Sequence, residues 1–445
     1  MGIVATIITI SLLAISLFAL KGRYRFTNPL IFFLTLWSLI LFLSLFHLFD
    51  LDAASNQAYI LLIIMISAFT TGYFLYLLIS AKKKPKPEQA AKTSKQPELP
   101  SLKESFLLKV LFGIIIISII LNLVDYFIGL KYIMDGLKPW QVRNWTLAPF
   151  GSSNPILDRR SFVEEIFRAF VASPVAIMLP AIAAYYFFAS NKKKTRNAIV
   201  ALSIVSLITS SLAGGGGRIG YIYFGGCFTL AYFILRRNNM LRKVFNTKRL
   251  VIAVALCVLA IVGLTVFRTS IDDIAKQVYT YIALPPALLS KWLPFLGASG
   301  FTFGLTTLFG IHSYGFRSLK MIGLGSLVPA VYTLAETNVF NAEKYLAMDA
   351  GGIYNAFVTP VYYFMCDCGV IAVVVFSLSF GLICAYVYKR LCAKLSLRSF
   401  LLYILAFYGI FLSFSRIQTV TPTYIIAIVF TIIFVRRGIH AKASK

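Results

Sequence analysis

The sequence predicts an all-α polytopic membrane protein with about eleven transmembrane helices and one large outer loop that contains short amphipathic helices. Hydrophobic residues make up 59% of the 445 positions, and the mean hydropathy is +0.81. Apolar runs of about 18 or more residues, each long enough to cross a bilayer as a helix, recur along the whole chain. So much apolar surface is not expected of a soluble protein of this length.

The eleven spans are assigned from these apolar runs in chain order. The run up to Leu20 has neither a basic start nor a small-residue cleavage site, so we interpret it as the first span and not as a cleaved signal. The predicted spans are 2–20, 29–49, 58–80, 106–128, 166–190, 197–213, 219–235, 250–267, 369–388, 399–415 and 420–435.

The basic residues predict the orientation of these spans. Alternate polar segments hold 28 of the 43 Lys and Arg residues but 3 of the 16 acidic residues, the bias typical of cytoplasmic loops. The C-terminus is therefore expected in the cytoplasm, and eleven spans place the N-terminus outside. The net charge of +27 follows from this bias, so no nucleic-acid partner is expected. The segments are 21–28, 81–104, 191–197, 236–249, 389–398 and 436–445.

The same pattern divides the chain into five consecutive parts. They are an N-terminal three-span bundle (1–80), a basic linker expected to be disordered (81–104), central spans with a Gly-rich outer turn (105–267), a large extracytoplasmic loop (268–368), and C-terminal spans with a cytoplasmic tail (369–445). Two pieces of the large loop, 284–297 and 318–332, are too apolar for free loops. We expect them to lie on the membrane surface or to dip into it.

A run of four glycines, Gly214–Gly217, ends in Arg218 between two apolar segments. Glycines expose backbone N–H groups, and a helix N-terminus carries partial positive charge. A guanidinium at that position predicts a compact site for a phosphate or pyrophosphate. The alternative is a tight hairpin whose arginine reaches the lipid headgroups. The formal G-x-G-x-x-G match does not follow a strand, so a dinucleotide site is not expected.

Further arginines are predicted on the outer side, where the positive-inside rule disfavours them. A shared anionic ligand would explain the set, although any one of them is more simply a surface residue. The outer carboxylates are interpreted first as solvated or paired groups. The arginines of this outer set are Arg143, Arg159, Arg160, Arg268, Arg317 and Arg416.

Three segments resemble the Wzy-type O-antigen and capsule repeat-unit polymerases. The first, SSLAGGGGRIGYIYF (210–224), is similar to their Gly-rich turn that ends in arginine. The second (266–295) resembles the segment that opens their large outer loop. The third (351–382) resembles their late signature, an Asn and aromatic residues followed by Asp-x-Gly and a span. The resemblance runs loosely from about residue 105 onward.

The resemblance implies a bacterial cytoplasmic-membrane enzyme that joins undecaprenyl-pyrophosphate-linked glycan repeat units on the outer face. Arg218 and Arg268 would bind the pyrophosphate and stabilise it as it leaves. A general base is also expected, and Asp367, Glu336, Glu343 and His312 are its candidates. A cysteine stands where an aromatic is usual in Asp-x-Gly, which leaves open that Asp367 anchors a helix. Substrate-binding roles are assigned to Gly216, Gly217, Arg143, Arg317, Asn355 and Arg416.

The implied reaction needs no cofactor, and the arginines predict that it needs no metal. Its partners are the lipid-linked donor and acceptor and the membrane lipid, and a chain-length regulator is left open. The alternatives are an O-antigen ligase, a GT-C type glycosyltransferase that uses Asp50 and Asp52, and a transporter or flippase of lipid-linked glycans. Asp50 and Asp52 are more simply interpreted as a solvated span end.

Overall fold

The structure is a computed structural model of the chain. It describes backbone and side chains over most of the sequence, and backbone alone at 82, 103–107, 139, 140, 143, 274, 321, 347, 353 and 354. The described residues are 1–20, 27–82, 103–146, 154–213, 218–238, 240, 255, 259, 274–296, 300–344, 346–348, 353–354 and 357–435.

Within these residues the chain is helical, with one pair of two-residue strands, Leu346–Ala347 and Ile353–Tyr354, that pair in antiparallel register. In chain order the helices are α1 Gly2–Ala19, α2 Pro29–Ser44, α3 Asn56–Lys82, α4 Lys103–Met134, α5 Pro139–Thr146, α6 Phe162–Phe167, α7 Ser173–Ala189, α8 Lys193–Ala213, α9 Ile219–Arg237, α10 Ile274–Trp292, α11 Phe309–Met321, α12 Ala330–Asn341, α13 Thr359–Ala393, α14 Leu397–Phe411 and α15 Pro422–Ile433.

The structure confirms an α-helical protein with multiple membrane spans. Eight helices in the described part of the chain are long and apolar enough to cross a membrane, with α6 and α7 counted as one through the π turn Arg168–Ala172. Two shorter apolar helices, α2 and α15, match two more predicted spans. The predicted span 250–267 lies outside the described residues except at 255 and 259, so the count of eleven stays a prediction.

Helices also occupy much of the predicted large loop. Residues 284–295 of the first apolar piece lie in the second half of α10 and the 3₁₀ turn after it, whereas 318–332 crosses from α11 through another turn into α12. The last residues assigned to the loop, from Thr359, are already helical, because Pro360 suits the first turn of a helix. Helix α13 therefore begins ten residues before the predicted span 369–388.

Two compact units are formed from segments that are not consecutive in sequence. Unit 1 contains residues 1–90, 269–394 and 405–425, and unit 2 contains 91–268, 395–404 and 426–445. Unit 1 thus brings the first three helices together with most of the segment predicted as the large loop. The five-part division remains a division of the sequence only.

The interior of unit 1 depends on close contact between α3 and α13. A Cβ added at Gly72 would lie 2.1 Å from the Leu378 carbonyl oxygen, and one added at Gly381 would lie 2.1 Å from the Phe69 carbonyl oxygen. Small residues at such crossings let two helix backbones approach closely, which gains dispersion contacts that lipid does not supply. Helices α3 and α13 are therefore packed tightly although they lie about 300 residues apart in sequence.

The interior of unit 2 is an apolar cluster on α4 and α7. It is built around the buried side chains of Ile115, Val175 and Leu179. Helix α9 packs beside α7, and the Tyr223 hydroxyl donates to the Ile177 carbonyl oxygen at 3.0 Å. This bond fixes the position of α9 along the axis of α7.

We expect Gly381→Ala to lower the midpoint of thermal unfolding in detergent, because its new Cβ would force α3 and α13 apart. Overpacking of this kind costs about 1–3 kcal/mol. Gly113→Ala is the matched control, since no described atom beyond its chain neighbours and its own helix backbone lies within 4 Å of an added Cβ. Equal midpoints for the two variants would contradict the close packing of α3 on α13.

Candidate functional site

The predicted site residues are divided between the two units. Arg218 belongs to unit 2. Five others lie in unit 1, namely His312, Arg317, Glu336, Asp367 and Arg416. The side chain of Arg143 is outside the described residues, as are Gly216, Gly217, Arg268 and Asn355.

Arg218 stands directly before α9, as predicted, and its carbonyl accepts the first backbone hydrogen bond of that helix, from Tyr221. The arginine is half-buried. Helices α7 and α9 run in the same direction, because α8 joins them through short connections. Arg218 lies five residues before Tyr223, and Ala172 lies five residues before Ile177. Because Tyr223 bonds to Ile177, Arg218 lies at the level of Ala172, the last residue of the π turn.

A buried ion network lies in unit 2 at this end of the helices. One oxygen of Asp125 accepts from Arg160 at 2.9 Å and lies 2.8 Å from a guanidinium nitrogen of Arg168. Arg168 also pairs with Glu164 at 2.8 Å and donates to the Leu121 carbonyl oxygen. Asp125 is 3% exposed, so its charge depends on these partners.

Sequence reasoning did not single out this network. The available signal was that Asp125 and Arg168 are ionisable residues inside predicted spans, where charges are costly and mark functional or paired positions. The π turn that begins at Arg168 is of a kind that is frequent at functional sites. The pairing itself could not be read from sequence, because the two residues come from different spans.

In unit 1, α11 and α12 bring two cations to one carboxylate. Arg317 Nε lies 3.1 Å from Glu336 Oε1, and Lys320 Nζ lies 2.6 Å from Glu336 Oε2. The guanidinium of Arg317 lies over the rings of Phe309 and Phe340, at 5.6 and 5.2 Å from their centroids. Aromatic faces and the carboxylate therefore fix the orientation of Arg317, and the group carries one more positive than negative charge.

The ion pairs change the acidity of Glu336. Burial alone would raise its pKa, but hydrogen bonds from Lys320 and Arg317 outweigh burial and hold the pKa below the ordinary value. The neighbouring Tyr332 phenol has its pKa raised to about 12 by burial and by the charge of Glu336, so it stays protonated. A carboxylate held so strongly in its charged form is a poor acceptor of a proton at neutral pH.

His312 lies on α11 close to this group, with its ring against Tyr332. Its Nε2 is 3.0 Å from the Leu305 carbonyl oxygen, which can only accept, so Nε2 is assigned the proton and Nδ1 the lone pair. Nδ1 is buried and has no hydrogen-bond partner among the described residues. Burial lowers the pKa of His312 more than its hydrogen bond to Leu305 raises it, so the imidazole is neutral at pH 7.

Asp367 occupies a break within α13. Its side chain is fully buried, and one carboxylate oxygen accepts from the Thr302 hydroxyl and from the Thr306 N–H at 3.0 Å. The other oxygen accepts from the Thr307 N–H at 2.9 Å. Both oxygens are thus engaged by donors of residues 302–308, which we name the capped turn.

Two further residues named from the sequence, Arg416 and Asp52, are ion-paired. Arg416 pairs with Glu343 in unit 1, which agrees with the paired interpretation of the outer carboxylates. Asp52 pairs with Lys291 at 2.9 Å, and its side chain is 6% exposed, so the interpretation of Asp52 as a solvated span end was wrong. The reason is that α10 packs against the end of the first helices, which sequence order did not suggest.

Comparisons of the chain with protein-family models, with curated proteins and with solved structures find no match. The resemblance to Wzy-type polymerases therefore stays a sequence-based prediction.

The lowered pKa of Glu336 predicts a pH dependence of stability. Its ion pairs stabilise the folded state above the ordinary glutamate pKa of about 4.3 and lose that effect as pH falls through the folded-state pKa. Between about pH 6 and about pH 3 we expect the wild type to lose thermal stability more steeply than Glu336→Gln. Glu343→Gln is the control, because the Glu343 side chain is 48% exposed and that of Glu336 is 15% exposed, so solvent screens the pair of Glu343 more strongly. Parallel plots of thermal stability against pH for the wild type and Glu336→Gln would contradict the prediction.

Proposed function

We propose that the protein is a polymerase that joins undecaprenyl-pyrophosphate-linked oligosaccharide units into a surface polysaccharide. The observation that carries the proposal is the group on α11 and α12, where Arg317 and Lys320 share Glu336 beside the neutral imidazole of His312. Positive charge for the leaving pyrophosphate and a base for the attacking hydroxyl are the two requirements of this transfer. They occur here in a chain whose helices are apolar enough to cross a membrane.

In the proposed reaction a sugar hydroxyl of the acceptor attacks the anomeric carbon of the donor. The hydroxyl gives its proton to a base, a new C–O bond forms, and the bond to the pyrophosphate oxygen breaks. His312 is favoured as the base over the two carboxylates. The carboxyl of Glu336 is held ionised by two cations, and both oxygens of Asp367 are already hydrogen-bonded.

The negative charge that develops on the leaving pyrophosphate would be neutralised by guanidinium and ammonium groups. Arg317 is already oriented for this role. Within unit 2, and on its motif match, Arg218 is proposed to bind a phosphate group at the start of α9, where free N–H groups and the helix dipole also favour an anion. Arg268 belongs to the same proposal on its motif match alone.

We expect purified protein in lipid vesicles to convert lipid-linked repeat units into a ladder of products on a gel. Arg218→Ala and Arg317→Ala should abolish the ladder, and the Lys variants should retain little, since a point charge does not replace a bidentate fork on phosphate. Arg390→Ala is the matched control, because the half-buried Arg390 lies on a predicted cytoplasmic segment, 389–398, and not on the predicted outer face. A normal ladder from well-folded Arg218→Ala and Arg317→Ala would refute the proposed roles. Loss of the ladder in EDTA, restored by magnesium, would favour the GT-C alternative over this metal-independent chemistry.

The proposal also places the reaction at the outer face of a bacterial cytoplasmic membrane, with the C-terminus in the cytoplasm. In intact cells carrying single-cysteine variants, an impermeant thiol reagent should label position 152 and not position 83. The reason is the excess of basic residues in 81–104. The opposite pattern would reverse the assigned orientation.

A transporter or flippase of lipid-linked glycans is the second candidate, and one observation favours it. Helix α13 is broken at Cys368 and Gly369 beside the buried Asp367, and broken helices with buried charges are typical of transport sites. Movement of labelled lipid-linked glycan across vesicles without any product ladder would select this function.

A further inference from the structure

We propose that Asp367 is a positioning residue: its buried carboxylate fixes the capped turn at the break in α13 and so sets the orientation of His312. This inference rests on the proposed function for the role of His312. Its structural half, the attachment of residues 302–308 to the break, can be tested without any substrate.

The break in α13 supplies the first part of the attachment. Cys368 has φ −149° and Gly369 has φ +60° and ψ −143°, a conformation that only glycine adopts easily. The carbonyl oxygens of Cys366 and Asp367 accept instead from the backbone N–H groups of Thr302 and Phe303, each at 3.1 Å. Buried polar groups left without partners are costly, so these bonds hold the turn against the helix.

The carboxylate supplies the second part. Asp367 is 0% exposed, and such a charge is tolerated only when donors surround it. It receives the Thr302 hydroxyl and the N–H groups of Thr306 and Thr307, as a capping aspartate does at the start of a helix. Hydrogen bonds to a charged acceptor are about twice as strong as neutral ones. Phe303, which has φ +51°, is held in its strained conformation by the same set of bonds.

The capped turn also holds the candidate base, His312, through a hydrogen bond. The Leu305 carbonyl oxygen, within the turn, accepts from His312 Nε2 and thereby assigns the proton to that nitrogen. The Thr306 hydroxyl accepts from Asn338 on α12, the helix that carries Glu336. Release of the turn would free the imidazole to rotate while leaving its chemistry intact.

Three threonine variants test the attachment. Thr302→Val keeps the side-chain shape and removes the hydroxyl, which contacts Asp367, the Thr306 hydroxyl and the Cys366 carbonyl oxygen. Thr302→Ser keeps the hydroxyl. Thr307→Val is the matched control: Thr307 is 1% exposed, and its hydroxyl has no hydrogen-bond partner among the described residues. Its backbone N–H bond to Asp367 is unaffected by the change. Asp367→Asn tests the carboxylate itself.

Hydrogen exchange of the full-length protein, measured by mass spectrometry, reports the attachment directly. In peptides covering 302–312 we expect Thr302→Val and Asp367→Asn to exchange about tenfold faster or more, the effect of losing a hydrogen bond to a charged group. Thr302→Ser and Thr307→Val should exchange as the wild type does. Unchanged exchange in Asp367→Asn, or equal acceleration in Thr302→Val and Thr307→Val, would overturn the inference.

Measurements of polymerase activity then distinguish a positioning role of Asp367 from a catalytic one. Thr302→Val and Asp367→Asn should lower kcat with little change in KM, and Thr302→Ser should restore kcat. The acidic limb of the pH–rate profile should remain in the residual activity of Asp367→Asn, because His312 is still the base. Loss of that limb would make Asp367 the base and overturn the positioning role. If exchange behaves as expected but the wild type makes no polymer, the proposed function fails and the attachment of the turn stands.

Discussion

A break in a membrane-spanning helix frees backbone carbonyls that the hydrocarbon layer cannot satisfy. In α13 this constraint is met inside the protein, because the capped turn donates its N–H groups to the two carbonyls at the break. The carboxylate of Asp367 adds three more hydrogen bonds at the same place. Since the capped turn leads directly into α11, the position of every charged residue on α11 depends on the hydrogen bonds between the turn and α13. A single buried acid thus connects residues 60 positions apart.

Carboxylates orient Arg160, Arg168 and Arg317, and aromatic rings also orient Arg317. Arg317 is held by Glu336 and two rings, and Arg160 and Arg168 share Asp125. A guanidinium that is already oriented loses less freedom when an anion binds, so such pairs prepare a site as well as stabilise a fold. The two groups differ in charge balance. Arg317 and Lys320 share one carboxylate, whereas Asp125 and Glu164 together balance Arg160 and Arg168.

The first three helices form the framework of unit 1. Helix α3 meets α13 through glycines on both helices, and the Tyr279 hydroxyl of α10 donates to the Leu43 carbonyl oxygen. Lys291 of α10 pairs with Asp52. These contacts tie the segment that carries His312 and Arg317 to helices that end more than 180 residues earlier in sequence. The N-terminal helices therefore help to position the candidate site.

The sequence alone determined the properties that depend on local composition. Apolar length predicted the helices that can span a membrane, and the glycine run before Arg218 predicted the start of α9. Tertiary structure alone decided the break at Gly369, the capped turn and the partners of Asp367 and Asp52. The sequence ended the outer loop at 368 and began a span at 369, but the helix on the loop side of the break was hidden, because Asp367 beside a glycine is typical of a loop end. The pairings were hidden because a carboxylate's partner is set by which distant segments pack together, and that depends on the whole three-dimensional arrangement of each unit.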